Sequence, residues 1–377
     1  MATWVVKLDN GPQRVNHAAV AIKNRIFSFG GFCCRENYTS FRPIEIHILN
    51  ALTLRWGYMQ THHMQVPEVP FQRYGHSVVA YKKKAYLWGG RNDINACNVL
   101  YIFDVKELAW EQPTTSGLAP LPRDGHAAAV VDNYMYIFGG YIEELQMYSQ
   151  ELYRINLETM HWEFVITQGQ IPSCRDFLTL TTIGNNIYVF GGRGDKNGSV
   201  DTRNEVYCNQ ISYLDTVKME WITPQTKGNI PIGRRSHSAF VFEDHLYIFG
   251  GYNSQNNTHY NDLHCYIPNT KEWLKIKTYG IPGPCPRRRQ CACTIGSSVY
   301  LFGGTSPDTN FTDISNILEL ELKDHVDLYV LDLSPSLKTL SILSVIKHKL
   351  DYSILPQEIQ FDIKILTRPS RRGHTYS

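Results

Sequence analysis

A pair of adjacent glycines recurs six times along this chain, and this repeat constrains the fold more than any other feature. The pairs lie 50 to 59 residues apart, and an aromatic and apolar run precedes each of them. They are Gly30-Gly31, Gly89-Gly90, Gly139-Gly140, Gly191-Gly192, Gly250-Gly251 and Gly303-Gly304. An arginine stands sixteen residues before every pair, at Arg14, Arg73, Arg123, Arg175, Arg234 and Arg287. A period of this length indicates a repeat protein in which every copy folds as one supersecondary unit.

Each repeat has the pattern of four strands. In the third copy, the apolar run from Ala127 to Val131 is followed by a polar turn and then by Tyr136-Ile137-Phe138, which ends at the glycine pair. A third run and a fourth that carries a tryptophan complete the copy. Short apolar runs bounded by turn residues are typical of strands. The sequence therefore predicts an all-β fold, a six-bladed β-propeller.

The tryptophans indicate how the ring is closed. One stands in the fourth strand of each of the first five repeats, at Trp56, Trp110, Trp162, Trp221 and Trp273. The sixth repeat has none where it is due, near Leu337 to Leu340, whereas Trp4 precedes the first repeat. An open ring would expose unpaired strand edges. We therefore predict that the strand from Trp4 to Leu8 completes the sixth blade, and that Trp88 belongs to the core.

The composition limits where such a protein works and what it binds. The formal net charge of +2 argues against a nucleic-acid or membrane surface, so any binding charge has to be local. No secretory signal opens the sequence and no apolar run is long enough to span a membrane, so we expect a cytoplasmic or nuclear protein with free thiols. The nine cysteines include Cys291-Ala292-Cys293, which lacks the second ligand pair of a zinc site. Neither a metal nor a cofactor is expected.

The repeated arginines, and the histidines that usually follow them by three residues, favour a structural role over catalysis. A residue that appears once per repeat serves the architecture, and buried charges are usually paired, so we expect these side chains to join adjacent blades. Neither a catalytic-triad order nor a phosphate-binding loop is apparent. Copper-radical oxidases share a propeller of this kind and remain an alternative, but the sequence does not offer the Tyr, His and Cys metal site that they need.

Function is expected where the repeats differ, in the loops at one mouth of the central channel. Two positions report on that mouth: the two residues after each repeated arginine, and the residue after each glycine pair. Repeats four to six place basic residues there, at Arg193, Arg235, Arg288 and Arg289, with Ser236 after Arg235. Repeats three and four contribute Asp124 and Asp176, and aromatic residues accompany the charges at Tyr74, Tyr141, Phe177 and Tyr252. The sequence therefore predicts a mouth that is basic on one side and acidic on the opposite side.

A mouth of this kind suits an extended ligand with opposite charges at its two ends. Guanidinium groups bind carboxylates through charge-assisted hydrogen bonds, often two at a time. The C-terminus of a peptide is the commonest carboxylate that a protein partner offers. The alternative is that these charges are solvated loop residues or salt bridges with one another, which contribute little to stability. Symmetry between the repeats does not decide between the two interpretations.

The repeat pattern stops at Ser334, so residues 1–333 are assigned to the propeller. Residues 334–366 are expected to be helical, because a turn and an N-cap at Ser336 precede apolar and small residues at helical spacing. These residues are Leu337, Leu340, Ser341, Leu343, Ser344 and Val345. A second helical turn is expected near Leu355-Pro356-Gln357-Glu358-Ile359, and residues 367–377 are expected to be disordered. The apolar face of the helical segment either packs on the propeller or binds a partner.

These motifs resemble known families. The six units of Arg-x-x-His followed by Phe-Gly-Gly resemble kelch repeats across residues 1–333. Ser336 and Leu337, with Ser341 and Val345 at steps of four, resemble the BC box that binds elongin C. A second motif resembles the core of a cullin-2 box: Leu355, Pro356 and Ile359. In this order, directly after a propeller, the motifs are similar to those of the kelch-repeat substrate receptors of cullin-2 RING ubiquitin ligases.

The resemblance implies a non-catalytic receptor for C-terminal degrons that end in glycine, with an arginine or similar polar residue just upstream. It implies elongin C with elongin B, and cullin-2 with its RING protein, as partners that supply the ubiquitin chemistry. In relatives, two arginines and a serine hold the terminal carboxylate, and these match Arg193, Arg203 and the Arg235/Ser236 pair here. This chain has Arg235 where the serine is expected, so either residue of that pair makes the contact.

Two hypotheses accompany this interpretation. Asp124 and Asp176 are expected to recognise the cationic side chain upstream of the terminal glycine. The alternative function is that of a kelch propeller scaffold that is not linked to ubiquitin transfer and needs no elongin.

Overall fold

Six antiparallel sheets of four strands stand around a central channel, so the predicted six-bladed propeller is confirmed. The computed structural model describes residues 1–9, 11–34, 36–59, 61, 66–308, 322–367 and, for the backbone, 374–376. The first strand of each blade contacts the first strand of the next, and the sixth contacts the first, so these strands form the inner wall of the ring.

In blades one to five the four strands follow the chain from the channel outward, and in blade six the fourth strand is the N-terminal one. Blade one contains β2 (Ala18–Ile22), β3 (Arg25–Phe29), β4 (Ile46–Asn50) and β5 (Arg55–Met59). Blade two contains β6 (Ser77–Tyr81), β7 (Lys84–Trp88), β8 (Leu100–Asp104) and β9 (Ala109–Glu111). Blade three contains β11 (Ala127–Val131), β12 (Tyr134–Phe138), β15 (Leu152–Asn156) and β16 (His161–Phe164). Blade four contains β18 (Thr179–Ile183), β19 (Asn186–Phe190), β22 (Ser212–Asp215) and β23 (Glu220–Ile222). Blade five contains β25 (Ser238–Phe242), β26 (His245–Phe249), β29 (Leu263–Ile267) and β30 (Glu272–Ile276). Blade six contains β32 (Cys291–Ile295), β33 (Ser298–Phe302), β36 (Leu328–Asp332) and β1 (Thr3–Leu8).

The N-terminal strand closes the ring as predicted. Strand β1 pairs antiparallel with β36, so that Trp4 lies opposite Leu331 and Leu8 lies opposite Leu328. Trp4 is buried beside Phe249 and Tyr329, which joins the first strand of the chain to blades five and six. The chain ends of the propeller are therefore held by hydrogen bonds and by core packing together.

Short fifth strands at the outer edges of four blades were not anticipated from the sequence. They are β10 (Ser116–Gly117), β17 (Gln168–Gly169), β24 (Lys227–Gly228) and β31 (Tyr279–Gly280). Each runs parallel to a fourth strand and places its glycine opposite that strand's tryptophan. Glycine is required because φ is positive, and a Cβ at Gly117 would lie 2.1 Å from the carbonyl oxygen of Trp162.

Strand β37 (His374–Tyr376) takes the corresponding edge of blade one. It pairs in parallel with β5, and His374 lies opposite Gly57. The structure thus differs at these three positions from the disorder expected for residues 367–377, because an open sheet edge offers hydrogen bonds to an extended chain. Thr367 ends a helix, and residues 368–373 and 377 lie outside the described part of the chain.

The core lies between the blades. Six clusters of buried apolar side chains each join two neighbouring blades. Trp88 belongs to the cluster between blades two and three, as predicted, and is fully buried against Trp162 and His126. The second strand of each blade is buried along most of its length, which explains why these strands are largely apolar.

The repeated arginines bond differently from the prediction. Five of them, here called the frame arginines, donate from Nη1 to the carbonyl oxygen of the first glycine of their own repeat at 2.9–3.3 Å. The frame arginines are Arg73, Arg123, Arg175, Arg234 and Arg287. Their side chains therefore fix the fold of one blade and do not pair two blades. The expected link between blades comes from their carbonyl oxygens, which accept a hydrogen bond from the second glycine of the preceding repeat.

Two helices follow the propeller: α1 (Leu337–Lys347) and α2 (Gln357–Thr367). Ser336 caps α1 by accepting a hydrogen bond from the amide of Thr339 at 3.0 Å, and Lys338 forms ion pairs with Glu358 and Asp362 that join the helices. The buried side chains of Ile342 and Ile363, together with Ile365 and Leu366, hold the helices on the outside of the ring near blades six and one. No helix in the described residues is both long and apolar enough to cross a membrane.

Candidate functional site

A closed ring of backbone hydrogen bonds surrounds the channel at one mouth. Its members occupy the third position of each Arg-x-x-His unit, namely Asn16, Gly75, Gly125, Phe177, Ser236 and Arg289. Each donates its amide hydrogen to the carbonyl oxygen of the preceding member, at 2.6–3.2 Å, and Asn16 donates to Arg289. All six have positive φ, although only two are glycines. The other four hold a sparsely populated conformation, which the hydrogen bonds of the ring maintain.

The two positions that the sequence comparison singled out are spatial neighbours in every blade. The residue after each repeated arginine bridges to the residue after the glycine pair of the same blade. The six bridges are Val15–Phe32, Tyr74–Arg91, Asp124–Tyr141, Asp176–Arg193, Arg235–Tyr252 and Arg288–Thr305. They stand around the backbone ring, above a depression of about 130 Å³ that the ring residues line. Variation at these positions therefore sets the chemistry of the mouth.

Blade four pairs its charges internally. Asp176 is buried, and its carboxylate accepts two hydrogen bonds from Arg193, at 3.1 and 2.5 Å. Burial alone would lower the pKa of Arg193, but the adjoining Asp176 carboxylate reverses this and raises it. The expected separation of a basic side from an acidic side is therefore wrong for this pair, because the bridge geometry joins both residues.

Glu205 is a member of the mouth that sequence reasoning missed. It lies in β21 (Glu205–Tyr207), which pairs with β20 (Arg193–Asp195). Its carboxylate is 3.1 Å from Arg193 Nη1 and 3.5 Å from Arg235 Nη1, and it also accepts hydrogen bonds from Tyr207 and Ser254. Burial would raise the pKa of Glu205, but these hydrogen bonds and Arg235 lower it to about 2. A carboxylate thus already lies between two arginines of the mouth.

Three arginines of blades five and six form a cluster with little counter-charge, here called the basic cluster: Arg235, Arg288 and Arg289. The guanidinium of Arg288 lies 4.3 Å from the centre of the Tyr252 ring, and its buried Nε has no hydrogen-bond partner. Within the described residues the one ion pair found for the cluster joins Glu205 to Arg235, while at longer range the charge of Glu205 also acts on Arg288 and that of Asp324 acts on Arg289. Burial and the neighbouring Arg288 lower the pKa of Arg289 to about 9. Burial followed by the repulsion of Arg288 and Arg289 also lowers the pKa of His259 to about 4.

The physical character of this cluster favours the approach of an anion. Like charges that are partly withdrawn from water repel one another, and the repulsion is relieved when a negative charge arrives. A bidentate carboxylate satisfies the buried donors at the same time.

Asp124 lies across the ring from blade six. The side chain is 8% exposed, and among the described residues no hydrogen bond or ion pair reaches its carboxylate. Burial and then the nearby Asp176 raise the pKa of Asp124 to about 7, which Arg91 opposes. On the acidic side of the mouth, Asp124 is thus the carboxylate that lies outside the Asp176–Arg193 ion pair, and its pKa lies near neutral pH.

The remaining predicted mouth residues have separate surroundings. Tyr74 donates to Asp93 at 3.0 Å, and the Tyr141 ring centre lies 5.4 Å from that of Tyr148. Arg203 is exposed in the loop between β20 and β21, and the contact described for it is a backbone hydrogen bond to Asp201. Ser236 lies in the backbone ring with φ of 55°.

The residues of the two predicted boxes lie mostly at the surface. Leu337 is 81% exposed and Leu340 is 40% exposed, while Ser336 and Ser341 are exposed and Val345 is half-buried. Pro356 is exposed and precedes the first residue of α2, and Leu355 and Ile359 are half-buried. One face of α1 is therefore held by the propeller through Ile342 while its first turn projects apolar side chains into solvent.

Comparison with known proteins agrees with this architecture. A family model described as the KLHDC2/KLHL20/DRC7 Kelch-repeats domain matches residues 75–304. Kelch domain-containing protein 3 of Rattus norvegicus is 47% identical over 98% of this chain and 97% of that protein. The protein of the same name from Homo sapiens is 46% identical over the same shares of both chains. Kelch domain-containing protein 2 of Bos taurus is 28% identical over 78% of this chain.

Proposed function

The chain belongs to the kelch-repeat family that includes Kelch domain-containing protein 3, and from that premise we propose that it is a substrate-recognition subunit of a cullin-2, elongin B/C and RING ubiquitin ligase. In this role the propeller mouth binds the C-terminal degron of a target protein. Helices α1 and α2 bind the other subunits. Ubiquitin transfer is carried out by those partners, in keeping with a family of generally non-catalytic interaction scaffolds.

The observation that carries the proposal is the basic cluster. Arg288 and Arg289 form no ion pair with a described residue, although the charges of Glu205 and Asp324 act on them at longer range, and Arg235 has one contact with Glu205 at 3.5 Å. A peptide carboxylate that enters between them gains charge-assisted hydrogen bonds and removes the repulsion among three cations. Ser236, next to Arg235 in the backbone ring, offers a hydroxyl to the same group. These residues form the proposed carboxylate subsite.

Blade four supports this subsite from the side. The family resemblance implicates Arg193 and Arg203. Arg193 is the first residue of β20, and Arg203 lies in the loop between β20 and β21. Asp176 and Glu205 already bind Arg193 and fix its side chain. Arg193 therefore contributes a positive charge at the edge of the subsite, together with any guanidinium N–H group that is not already bonded. Arg203 is exposed and free to turn toward an incoming peptide. We assign both to the rim of the subsite, behind the basic cluster.

The upstream part of the degron extends toward blade three. Asp124 is buried, and among the described residues no ion pair reaches its carboxylate although the charge of Arg91 acts on it, so a cationic side chain that reaches it gains a low-dielectric ion pair. Asp176 supports the same side indirectly, since its carboxylate is committed to Arg193. Aromatic residues Tyr74, Tyr141 and Tyr252 line the path and give it apolar walls. A terminal glycine is favoured because a larger side chain would collide where the backbone passes between arginines.

The partner surface is the exposed part of the helical segment. Leu337 and Leu340 project from the first turn of α1 three residues apart, so together they present an exposed apolar surface on one side of the helix to which a partner can bind. We assign Ser336, Leu337, Leu340, Ser341 and Val345 to elongin C. The segment Leu355, Pro356 and Ile359 at the start of α2 is assigned to cullin-2.

Co-purification tests the assembly. The tagged full-length chain is expected to retain elongins B and C from a cell lysate, and Leu337→Ala is expected to lose most of them while its affinity for a degron peptide is unchanged. Leu350→Ala is the control, because Leu350 is also exposed but lies beyond α1. A wild-type protein that retains no elongin would contradict the ligase role and favour a scaffold that is not linked to ubiquitin transfer.

A further inference from the structure

Blade six carries a group of reactive side chains that the proposed function does not use. Cys285 is exposed, two residues before the frame arginine Arg287. Its Sγ lies 3.3 Å from Arg287 Nη2 and 3.5 Å from His325 Nε2. The carboxylate of Asp327 binds Arg287 at 2.5 and 2.8 Å, and its Oδ2 lies 3.9 Å from His325 Nδ1. A thiol, an imidazole and a carboxylate are thus arranged in sequence, with a guanidinium against the sulfur.

The propeller does not need a thiol at this position. In blade four the equivalent residue is Ser173, whose hydroxyl accepts a hydrogen bond from Arg175 Nη2 at 2.8 Å. The equivalent residues of the other blades are Pro12, Phe71, Leu121 and Ile232. Blade five also has an arginine, aspartate and histidine in contact, Arg234, Asp262 and His264, but no hydrogen bond described there joins a cysteine sulfur to them. The full arrangement is therefore peculiar to blade six, and the architecture does not explain its sulfur.

The surroundings favour a thiolate. Burial opposes ionisation, but the hydrogen bond to His325 and the charge of Arg287 together lower the pKa of Cys285 to about 7. Burial instead raises the pKa of Cys174, Cys265, Cys291 and Cys293.

The groups that face this cluster come from several elements. Ser306 in β34 (Thr305–Pro307) lies 2.8 Å from His325 Nε2 and 3.9 Å from Cys285 Sγ. Tyr329 in β36 lies under the Arg287 guanidinium, with the ring centre 5.7 Å away. Asp327 is the acidic member, and both of its oxygens are engaged by Arg287. The positive charge of Arg287 is thus shared between Asp327 and the sulfur.

We propose that Cys285 is a redox-modification site that forms a mixed disulfide with low-molecular-weight disulfides, with His325 as its base and Arg287 as the cation that holds the thiolate. The thiol proton passes to His325 Nε2, and the thiolate attacks one sulfur of the incoming disulfide. A new sulfur–sulfur bond forms, the old one breaks, and the departing thiolate takes the proton from His325. Cys285 is oxidised and the released half of the reagent is reduced, so no further reactant is required.

The test uses the full-length chain with Cys34, Cys174 and Cys208 replaced by serine, which leaves Cys285 as the exposed cysteine among the described residues. The probe is an aromatic disulfide that releases a coloured thiolate, and its rate is followed from pH 5.5 to 9.5. We expect a midpoint near pH 7. At pH 6 the reaction should be about sixfold faster than that of an unperturbed thiol, after allowance for the lower nucleophilicity of a less basic sulfur.

Two variants identify the cause. Cys285→Ser should abolish the fast reaction, and His325→Gln should raise the midpoint above that of the parent, because the charge of the imidazolium is lost and a neutral amide donates a weaker hydrogen bond to the thiolate. Ser306→Ala is the control, since Ser306 contacts the same imidazole without serving as its proton donor, and it should leave the midpoint within a few tenths of a unit. A parent midpoint near pH 8.5, or one that His325→Gln does not change, overturns the proposal.

A direct measurement keeps the proposal testable if His325→Gln does not fold. The parent is incubated with oxidised glutathione at pH 7, digested and analysed by mass spectrometry. We expect the glutathione adduct on the peptide that contains Cys285, and its absence there overturns the proposal. Neither result depends on binding of a degron or of elongin.

Discussion

Arginines of two kinds stand side by side in this propeller. The frame arginine Arg234 is buried, donates to the carbonyl oxygen of Gly250 and forms a two-point ion pair with Asp262. Arg235, the next residue, points into the mouth and has one distant acidic partner. The same change occurs between Arg287, which is bound by Asp327, and Arg288, which forms no ion pair with a described residue. Position on the blade, and not residue type, therefore decides whether an arginine stabilises the fold or lies in the mouth with little counter-charge.

The repeat explains the difference. The arginine that recurs at one spacing meets the equivalent glycine carbonyl in five of the six blades, so its role is fixed by the architecture. A side chain one position further along meets whatever the neighbouring loop provides. Uncompensated charge is consequently found at the positions where the repeats differ.

The largest expected effect is on the free energy of unfolding, and it distinguishes a frame arginine from the arginine that follows it in the sequence. Arg234→Ala leaves a glycine carbonyl and the Asp262 carboxylate without their partner, so it should lower the free energy of unfolding by about 3 kcal/mol. Arg235→Ala removes a cation from a repelling cluster and should change it by less than about 1 kcal/mol. Denaturation followed by tryptophan fluorescence measures both. Equal losses of stability would refute the distinction between frame and mouth.

The next effect concerns affinity. Arg288→Ala should weaken the binding of a peptide that ends in Arg-Gly by about 30-fold or more, because removal of one partner from a desolvated charge pair costs about 2 kcal/mol or more. Fluorescence polarisation of the labelled peptide measures the change. Arg55→Ala, at an exposed position of β5 on the outside of the ring, is the control and should bind as the parent does. Unchanged affinity for Arg288→Ala would exclude the basic cluster as the carboxylate subsite.

A smaller effect is expected from Asp124. Burial and Asp176 raise the pKa of its carboxyl to about 7 in the free protein, so the group is mostly protonated at pH 6 and mostly ionised at pH 8. A bound cation favours the ionised form, so affinity for the Arg-Gly peptide should rise across this interval, by up to about tenfold.

In the Asp124→Asn variant this rise in affinity should be absent, so that the affinity for the Arg-Gly peptide changes less with pH. A peptide with alanine in place of the upstream arginine provides the matched control, since it should show little of the effect in the parent. A pH profile that is identical in the parent and in Asp124→Asn would contradict the assignment of Asp124 to the upstream cation.

The sequence predicted the architecture because repetition makes each local pattern visible six times. The strand from Trp4 was assigned to blade six because one fourth-strand tryptophan was missing there and one was left over at the start. The fifth strands were missed, although Gly117, Gly169 and Gly228 each stand six residues before a frame arginine. This spacing could have indicated the fifth strands. It was not recognised because each of these glycines pairs with a strand that is distant in the sequence.

The mouth was predicted less completely. Equivalent positions in the repeats identified where the loops converge, but they did not reveal that Asp176 and Arg193 pair within one blade. Glu205 was missed because the register of the β20–β21 hairpin, which brings it beside Arg193, depends on a loop that differs between blades. Patterns that recur in the repeats could therefore be predicted from the sequence. Side-chain pairs that occur only once became apparent from the three-dimensional structure.

The central claim is that cations at the mouth bind the terminal carboxylate of another polypeptide. Isothermal titration of the purified protein with two peptides of one sequence ending in Arg-Gly, one with a free C-terminus and one with a C-terminal amide, tests it most directly. The account predicts that the amide binds about 30-fold more weakly or worse, because the basic cluster loses the charge that compensates it. Equal affinity of the two peptides would contradict the account.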